Sequence, residues 1–326
     1  MLSSLWSIAR NSFLEIIRQP VYALLLLLGM VLIGFSPAVT MFSVVEDTKL
    51  MVDIGLATIL LLGLVMAVLS VTQTISREID NQMVGAILSK PVGRFVFVMA
   101  KFLGVTMAMA VATFLLTAVL LITLRIGAPM TGDWHMDYPA LAGLLGPPLL
   151  AAAFGAYCNY FYRWNFTSTA ILLVLPLYML AMGVLLLVGQ EWQFALIPPV
   201  FAARNAGQVA IAALLVWFAI WVISSVALVG STRLNVVMNA IICLMVFFVG
   251  MISQFLFGQF ADQSTLAWVA VRVVPNLQVF WVGDKLMHEV PYIPWPYVRM
   301  AAAYAGGLCV TMVMLAAFLF EKREVI

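Results

Sequence analysis

Apolar positions fall along this chain in long unbroken runs, at roughly 21–42, 54–75, 96–124, 138–162, 166–189, 207–230, 236–260 and 297–320. Each run is closed by charges, Pro or Asn. A helix needs about 20 such residues to cross the roughly 30 Å hydrocarbon layer of a bilayer. The pattern predicts an all-α integral membrane protein, a polytopic bundle of 6–8 transmembrane helices in a single domain spanning 1–326. Eight is the direct reading of the runs. Pro147-Pro148, Pro176 and Pro198-Pro199 leave open a bent or re-entrant segment between 138 and 230, and with it six or seven crossings.

Between and beside these runs lie three segments of different texture. Residues 1–19 place Leu2, Leu5, Trp6, Ala9, Phe13, Ile16 and Ile17 on one helical face. Ser4, Ser7, Arg10, Asn11, Glu15 and Arg18 fall on the other. That pattern predicts an elbow helix lying along the membrane interface and turning inward at Pro20. The stretch 261–296 carries Trp268, Trp281, Tyr292 and Trp295 among Pro275, Pro291, Pro294 and Pro296. It reads as short interfacial or re-entrant helices capping one mouth of the bundle.

The third segment, ISREIDNQMVGAILSKPVGR at 75–94, is the densest island of charge in the chain. Ile79, Met83, Ala86 and Ile87 repeat at helical spacing, so a short amphipathic helix is expected, with Ser76 as its N-cap and Glu78 and Asp80 in its positive first turn. Lys90-Pro91 ends it, because the residue before a proline is pushed out of the helical region. A solvated loop that only enforces topology needs neither the apolar stripe nor the cap and stop.

Composition narrows the class further. The chain is 65% hydrophobic and 9% charged, against about 25% charged in ordinary soluble domains. A net charge of +2 is too small for nucleic-acid binding. Cys158, Cys243 and Cys309 sit inside apolar runs without metal or redox spacing, and read as small buried apolar residues. The leucine-rich run after Arg10 and Arg18 is long enough to cross, so it reads as a first span rather than a signal peptide.

With the N-terminus in the cytoplasm, Arg10, Arg18, Arg77, Lys90, Arg94, Lys101, Arg163, Arg233, Lys322 and Arg323 fall inside. Lys49, Arg125, Arg204, Arg272, Lys285 and Arg299 fall outside. Most acids, from Glu46 and Asp47 to Asp284 and Glu289, also fall outside. The bias places both termini and the 75–94 island on the cytoplasmic side of the inner membrane.

Candidate chemistry is sparse. The runs hold no ionisable residue near their centres, and Lys101 and Arg299 stand near span ends, from which long side chains can snorkel. This weighs against an ion-coupled carrier, which needs ligands at the midplane. His135 and His288 are the only histidines; His288-Glu289 begins a zinc-protease pattern, but Tyr292 stands where its second His belongs. No Gly-Lys-Ser/Thr phosphate loop occurs. The chain is read as no enzyme, with no metal or cofactor of its own, and any ATP must be bound by another subunit.

Several motifs carry a family resemblance. Ser76-Arg77-Glu78-Ile79-Asp80, Ile87-Leu88-Ser89-Lys90-Pro91-Val92-Gly93-Arg94 and Ala100-Lys101-Phe102-Leu103-Gly104 resemble the segment between the second and third spans of second-type (ABC-2) ATP-binding cassette exporter permeases. Trp6-Ser7-Ile8-Ala9-Arg10, Pro275-Asn276-Leu277-Gln278 and the ending Phe320-Glu321-Lys322-Arg323-Glu324 agree with that family too. The sequence departs from it at Gln82-Met83, where relatives commonly carry Gly-Thr. It departs again in its eight runs, where the family core has six spans, which implies a helix pair added in the middle.

The resemblance implies a permease subunit that pairs with a second permease half, identical or related, and with cytoplasmic ABC ATPase subunits. It further implies that 76–94 is the coupling segment, with Arg77, Glu78, Ile79, Asp80, Met83, Ile87, Lys90, Pro91 and Arg94 meeting the ATPase. Trp6, Arg10, Phe13 and Arg18 would belong to the elbow helix. An ion-coupled carrier or channel and a non-transporting structural membrane subunit stay open beside it.

Overall fold

Each long apolar run becomes a helix. In the computed structural model, residues 2–40, 47–80, 93–127, 137–194, 205–257, 274–283, 286 and 292–321 are described. Helix α1 spans Leu2–Ile17, α2 Pro20–Gly34, α3 Ser36–Thr40, α4 Asp47–Asp80 and α5 Arg94–Ile126. Then follow α6 at Tyr138–Tyr162, α7 at Phe166–Leu185, α8 at Ala206–Ser231, α9 at Val236–Phe257 and α10 at Trp295–Glu321. A 3-10 turn, Leu277–Phe280, precedes α10. Among the described residues, eight helical segments are long and apolar enough to cross a membrane, the first of them α2 continued by α3. The chain is a polytopic all-α membrane protein.

Contacts between helix ends show that successive crossings alternate in direction. At one end, Thr167 Oγ1 donates to the Arg18 carbonyl at 3.0 Å and the rings of Phe97 and Phe320 stack at 6.0 Å. The Arg233 guanidinium also donates to the Leu319 carbonyl at 3.4 Å there. At the other, Arg125 meets Asp137 at 2.7 Å, and the Ile293 N–H donates to Gln208 Oε1 at 2.9 Å. These are termed the elbow end and the far end.

The core is built around α8. That helix is apolar on every face, and 67% of its crossing window is buried, against 22% for α6. It packs on α4, α10, α5 and α9. An all-round apolar helix belongs in such a central place, because each face finds another helix rather than water. Small residues let backbones come close: Gly55 and Gly63 of α4 receive Leu120 of α5 and Ile220 of α8 where any Cβ would overlap them. Helices α6 and α7 instead form a peripheral hairpin, packed chiefly on each other, on the body chiefly along α5, with α7 also touching α1 and α2.

The prolines in this hairpin bring no re-entrant segment. Helix α6 continues through Pro147 and Pro148, and α7 through Pro176. Pro148 has no N–H to offer the Leu144 carbonyl one turn earlier. The hydroxyl of Tyr178 on α7 donates to that carbonyl instead, at 2.9 Å. In a bilayer this substitution of partner is what lets a proline stay inside a spanning helix. Asp137 caps α6 by accepting from the Ala140 N–H at 2.9 Å, and Asn165 caps α7 by accepting from the Ser168 N–H at 3.2 Å. Pro198-Pro199 lie outside the described residues.

Candidate functional site at the elbow end

Helix α1 is more than an interfacial anchor. Ala9, Ser12, Ile16 and Ile17 are fully buried against the bundle, chiefly on α5. Gly104 makes this possible: a Cβ there would lie 2.6 Å from the Ala9 carbonyl oxygen and 2.7 Å from Ser12 Cβ. One turn earlier on α5, Lys101 is only 2% exposed. Its Nζ lies 3.8 Å from the Glu15 carboxylate and 5.7 Å from the centre of the Phe97 ring. The expected snorkelling of Lys101 is therefore corrected: a counter-charge comes to it on α1. Glu15, expected on the polar face, turns toward α5 for the same reason.

The remaining elbow residues divide. Arg10 and Arg18 are exposed, as a polar face requires, and Phe13 is half-buried. Trp6, on the apolar face, is 54% exposed. Position 6 lies beyond the stretch of α1 that Gly104 draws onto α5, so the indole finds no protein surface to cover it.

Helix α4 corrects a second expectation. It runs without interruption from Asp47 to Asp80, through Ser76, so no separate helix begins at Ser76 and that serine is no N-cap. No Pro lies between 47 and 80, and a serine inside a helix can turn its hydroxyl to a preceding carbonyl. Arg77, Glu78, Ile79 and Asp80 thus form the last turn of a spanning helix, and Arg94 opens α5. The side chains of these five are not described, and Met83, Ile87, Lys90 and Pro91 lie outside the described residues.

A polar joint ties α4 to α8 and α9 near the elbow end. Asn239, in the first turn of α9, donates from Nδ2 to Thr72 Oγ1 at 2.8 Å and to the Ala227 carbonyl of α8 at 2.9 Å. Gly230 leaves the room that Asn239 Oδ1 occupies, and Cys243 Sγ lies 3.7 Å from that oxygen. Residues 73–80 then continue α4 about 12 Å beyond this joint at 1.5 Å per residue. A fully buried Asn in a run of apolar residues was legible as an intramembrane polar contact; its partners were not.

Two further groups escaped the sequence reading. Arg125 and Asp137, placed there in exposed loops, are 1% and 3% exposed and pair at the far end through Nε at 2.7 Å and Nη2 at 3.3 Å. Arg125 Nη1 also donates to the Leu185 carbonyl, so one guanidinium joins α5, α6 and α7. The signal available was Asp137 ahead of Tyr138-Pro139, a capping position with Pro just inside the helix. Within the 261–296 segment, the Asn276 side chain caps the 3-10 turn at Gln278 N, 3.1 Å, and the Asn276 N–H donates to Tyr304 Oη at 2.9 Å. Leu277 and Phe280 are buried, so this part packs into the bundle rather than lying on it.

Comparison with known protein families, with curated proteins and with solved structures finds no match.

Proposed function

We propose that this chain is the membrane-spanning permease subunit of an ATP-binding cassette exporter, moving substrate across the cytoplasmic membrane with ATP hydrolysed by a separate subunit. Both termini and the 76–94 segment face the cytoplasm in this reading. A second permease half, identical or related, completes the pathway, and cytoplasmic ATPase subunits engage Arg77, Glu78, Ile79, Asp80, Met83, Ile87, Lys90, Pro91 and Arg94.

One observation carries most weight. The charged segment begins on α4 itself: Arg77–Asp80 continue, without a break, the helix whose Thr72 accepts a hydrogen bond from Asn239. A charged turn continuous with a spanning helix passes a push from a partner into the spans; a loop that merely solvates charge would not need to be continuous with one. The elbow helix, clipped to α5 through Gly104 and Lys101, braces the other side of the same segment. The peripheral placement of α6 and α7 accords with a helix pair added to a six-span core.

The test is co-purification of the full chain with an ATPase subunit, followed by joint reversal of Glu78→Lys and Asp80→Lys. Truncating one member of a buried charge pair at an interface costs about 2–5 kcal/mol, so reversal of both is expected to abolish ATPase-coupled transport while the permease stays folded. Flux that follows an ion gradient and persists without ATP would overturn the assignment in favour of a carrier. Stable association with no flux would overturn it in favour of a structural subunit.

A further inference from the structure

Because α7 packs on α6 and α5 and stands away from α8, a cleft of about 730 Å³ opens between α7 and α8 with α5 as its floor. Its walls come from Ala110–Leu121 of α5, Met179–Leu186 of α7 and Ala210–Trp217 of α8. On α5 the cleft covers eleven residue steps, about 17 Å at 1.5 Å per residue. That is close to the hydrocarbon depth of one leaflet, half of about 30 Å. The cleft begins within about two turns of the far ends of α5, α7 and α8 and reaches toward the middle of the layer.

Among the described residues, no charged side chain lines this cleft. Of its polar groups, the Thr117 hydroxyl is spent on the Thr113 carbonyl of its own helix at 2.7 Å, the Thr113 side chain is 7% exposed, and the Trp217 Nε1 is buried. What remains is methyl, methylene and ring surface. The mouth opens sideways: Phe114 and Met179 on its rim are exposed within crossing segments, and Leu186, just past the end of α7, is exposed too. A space of this size, walled by apolar groups and open to the lipid phase, offers nothing to an ion or a sugar. Volumes of about 300–1,000 Å³ are typical of ligand sites.

We propose that this cleft is a binding site for a hydrocarbon chain, and that its occupant is one acyl chain of a membrane lipid entering laterally from the leaflet at the far end. The Arg125–Asp137 pair and the Leu185 carbonyl close its far end by tying α7 to α5 beside Leu186, so the chain enters between α7 and α8 rather than along the bundle axis. The site stands independently of any ATPase partner. Under the exporter reading it makes an acyl-bearing amphiphile the class of compound to test first as cargo.

The experiment places the full-length chain, without any ATPase, in nanodiscs of phosphatidylethanolamine and phosphatidylglycerol. The probe is phosphatidylcholine bearing a diazirine in one acyl chain, and adducts are mapped by peptide mass spectrometry. Expected are adducts concentrated on Thr113, Phe114, Thr117 and Met182, above those on Leu27 of α2 and Met245 of α9, which are exposed but do not line this cleft. Gly183→Phe fills the cleft from α7, where a Cβ meets nothing within 4 Å, and should remove the cleft adducts while leaving those at Leu27 and Met245. Met179→Trp, at the exposed rim, gives the same readout by narrowing the mouth should Gly183→Phe fail to fold. Adducts spread evenly over α2, α9 and the cleft, or cleft adducts indifferent to both substitutions, would overturn the proposal. Because no ATPase is present, neither result depends on the exporter assignment.

Discussion

Arg125 and Asp137 close a buried ring that joins the ends of three helices, and the energetics of such a pair are lopsided. Removing one partner strands the other charge where water does not reach, at about 3–5 kcal/mol, whereas replacing both with apolar groups of similar volume is often close to neutral. Arg125→Met and Asp137→Leu singly should each destabilise the protein by that amount. The double variant should recover much of that loss, short of about 1 kcal/mol for the lost cap on α6 and about 1–3 kcal/mol for the Leu185 carbonyl left without its donor. Denaturation of the solubilised full chain, read as a double-mutant cycle, measures it; additive single losses would sink the account. Neither residue was legible as a partner. They are charges beside a break in hydropathy, and sequence alone reads such charges as solvated. The same holds for Tyr178, whose bond to the Leu144 carbonyl answers a vacancy created by Pro148 on another helix.

At the scale of elements, the sequence pattern located the spans because hydropathy over twenty residues is a strong signal and each crossing repeats it. It misjudged where helices stop. A serine followed by acids looks like a helix start, yet with no proline between 47 and 80 nothing obliges α4 to end before Ser76, and it does not. The docking of α1 was likewise half legible: periodicity gave a buried face, but the tight seat on α5 depends on one residue without a side chain. Gly104→Val would push Cβ and its methyls into the Ala9 carbonyl and Ser12, and overpacking of this kind costs about 1–3 kcal/mol. The expected outcome is a lower apparent Tm together with loss of coupling between Glu15 and Lys101 in a double-mutant cycle. Gly146→Val on α6, where a Cβ meets nothing within 4 Å, should leave both unchanged. If Gly104→Val keeps the coupling, α1 is held by its apolar face alone.

For the molecule as a whole, the alternation of eight crossings and the charge bias make a joint statement about sides. Helices α6 and α7 cross as a pair, so the Arg163 turn between them lies at the elbow end with α1, and the Glu191 turn lies at the far end. The positive-inside bias then puts Asn11 and Arg163 in the cytoplasm and Glu191 outside. All three positions are exposed, while the native Cys158, Cys243 and Cys309 are buried and provide a silent background. A membrane-impermeant maleimide applied to intact cells should label Glu191→Cys alone. Asn11→Cys and Arg163→Cys should react only after the inner face is opened. Labelling of Arg163→Cys together with Glu191→Cys in intact cells would mean that the α6–α7 hairpin does not cross. Labelling of Asn11→Cys and Arg163→Cys without Glu191→Cys would keep the eight crossings but turn the protein over, moving the α4 projection to the wrong side for a cytoplasmic ATPase. That outcome would leave the acyl cleft intact, in the opposite leaflet, and remove the physical basis of the coupling role.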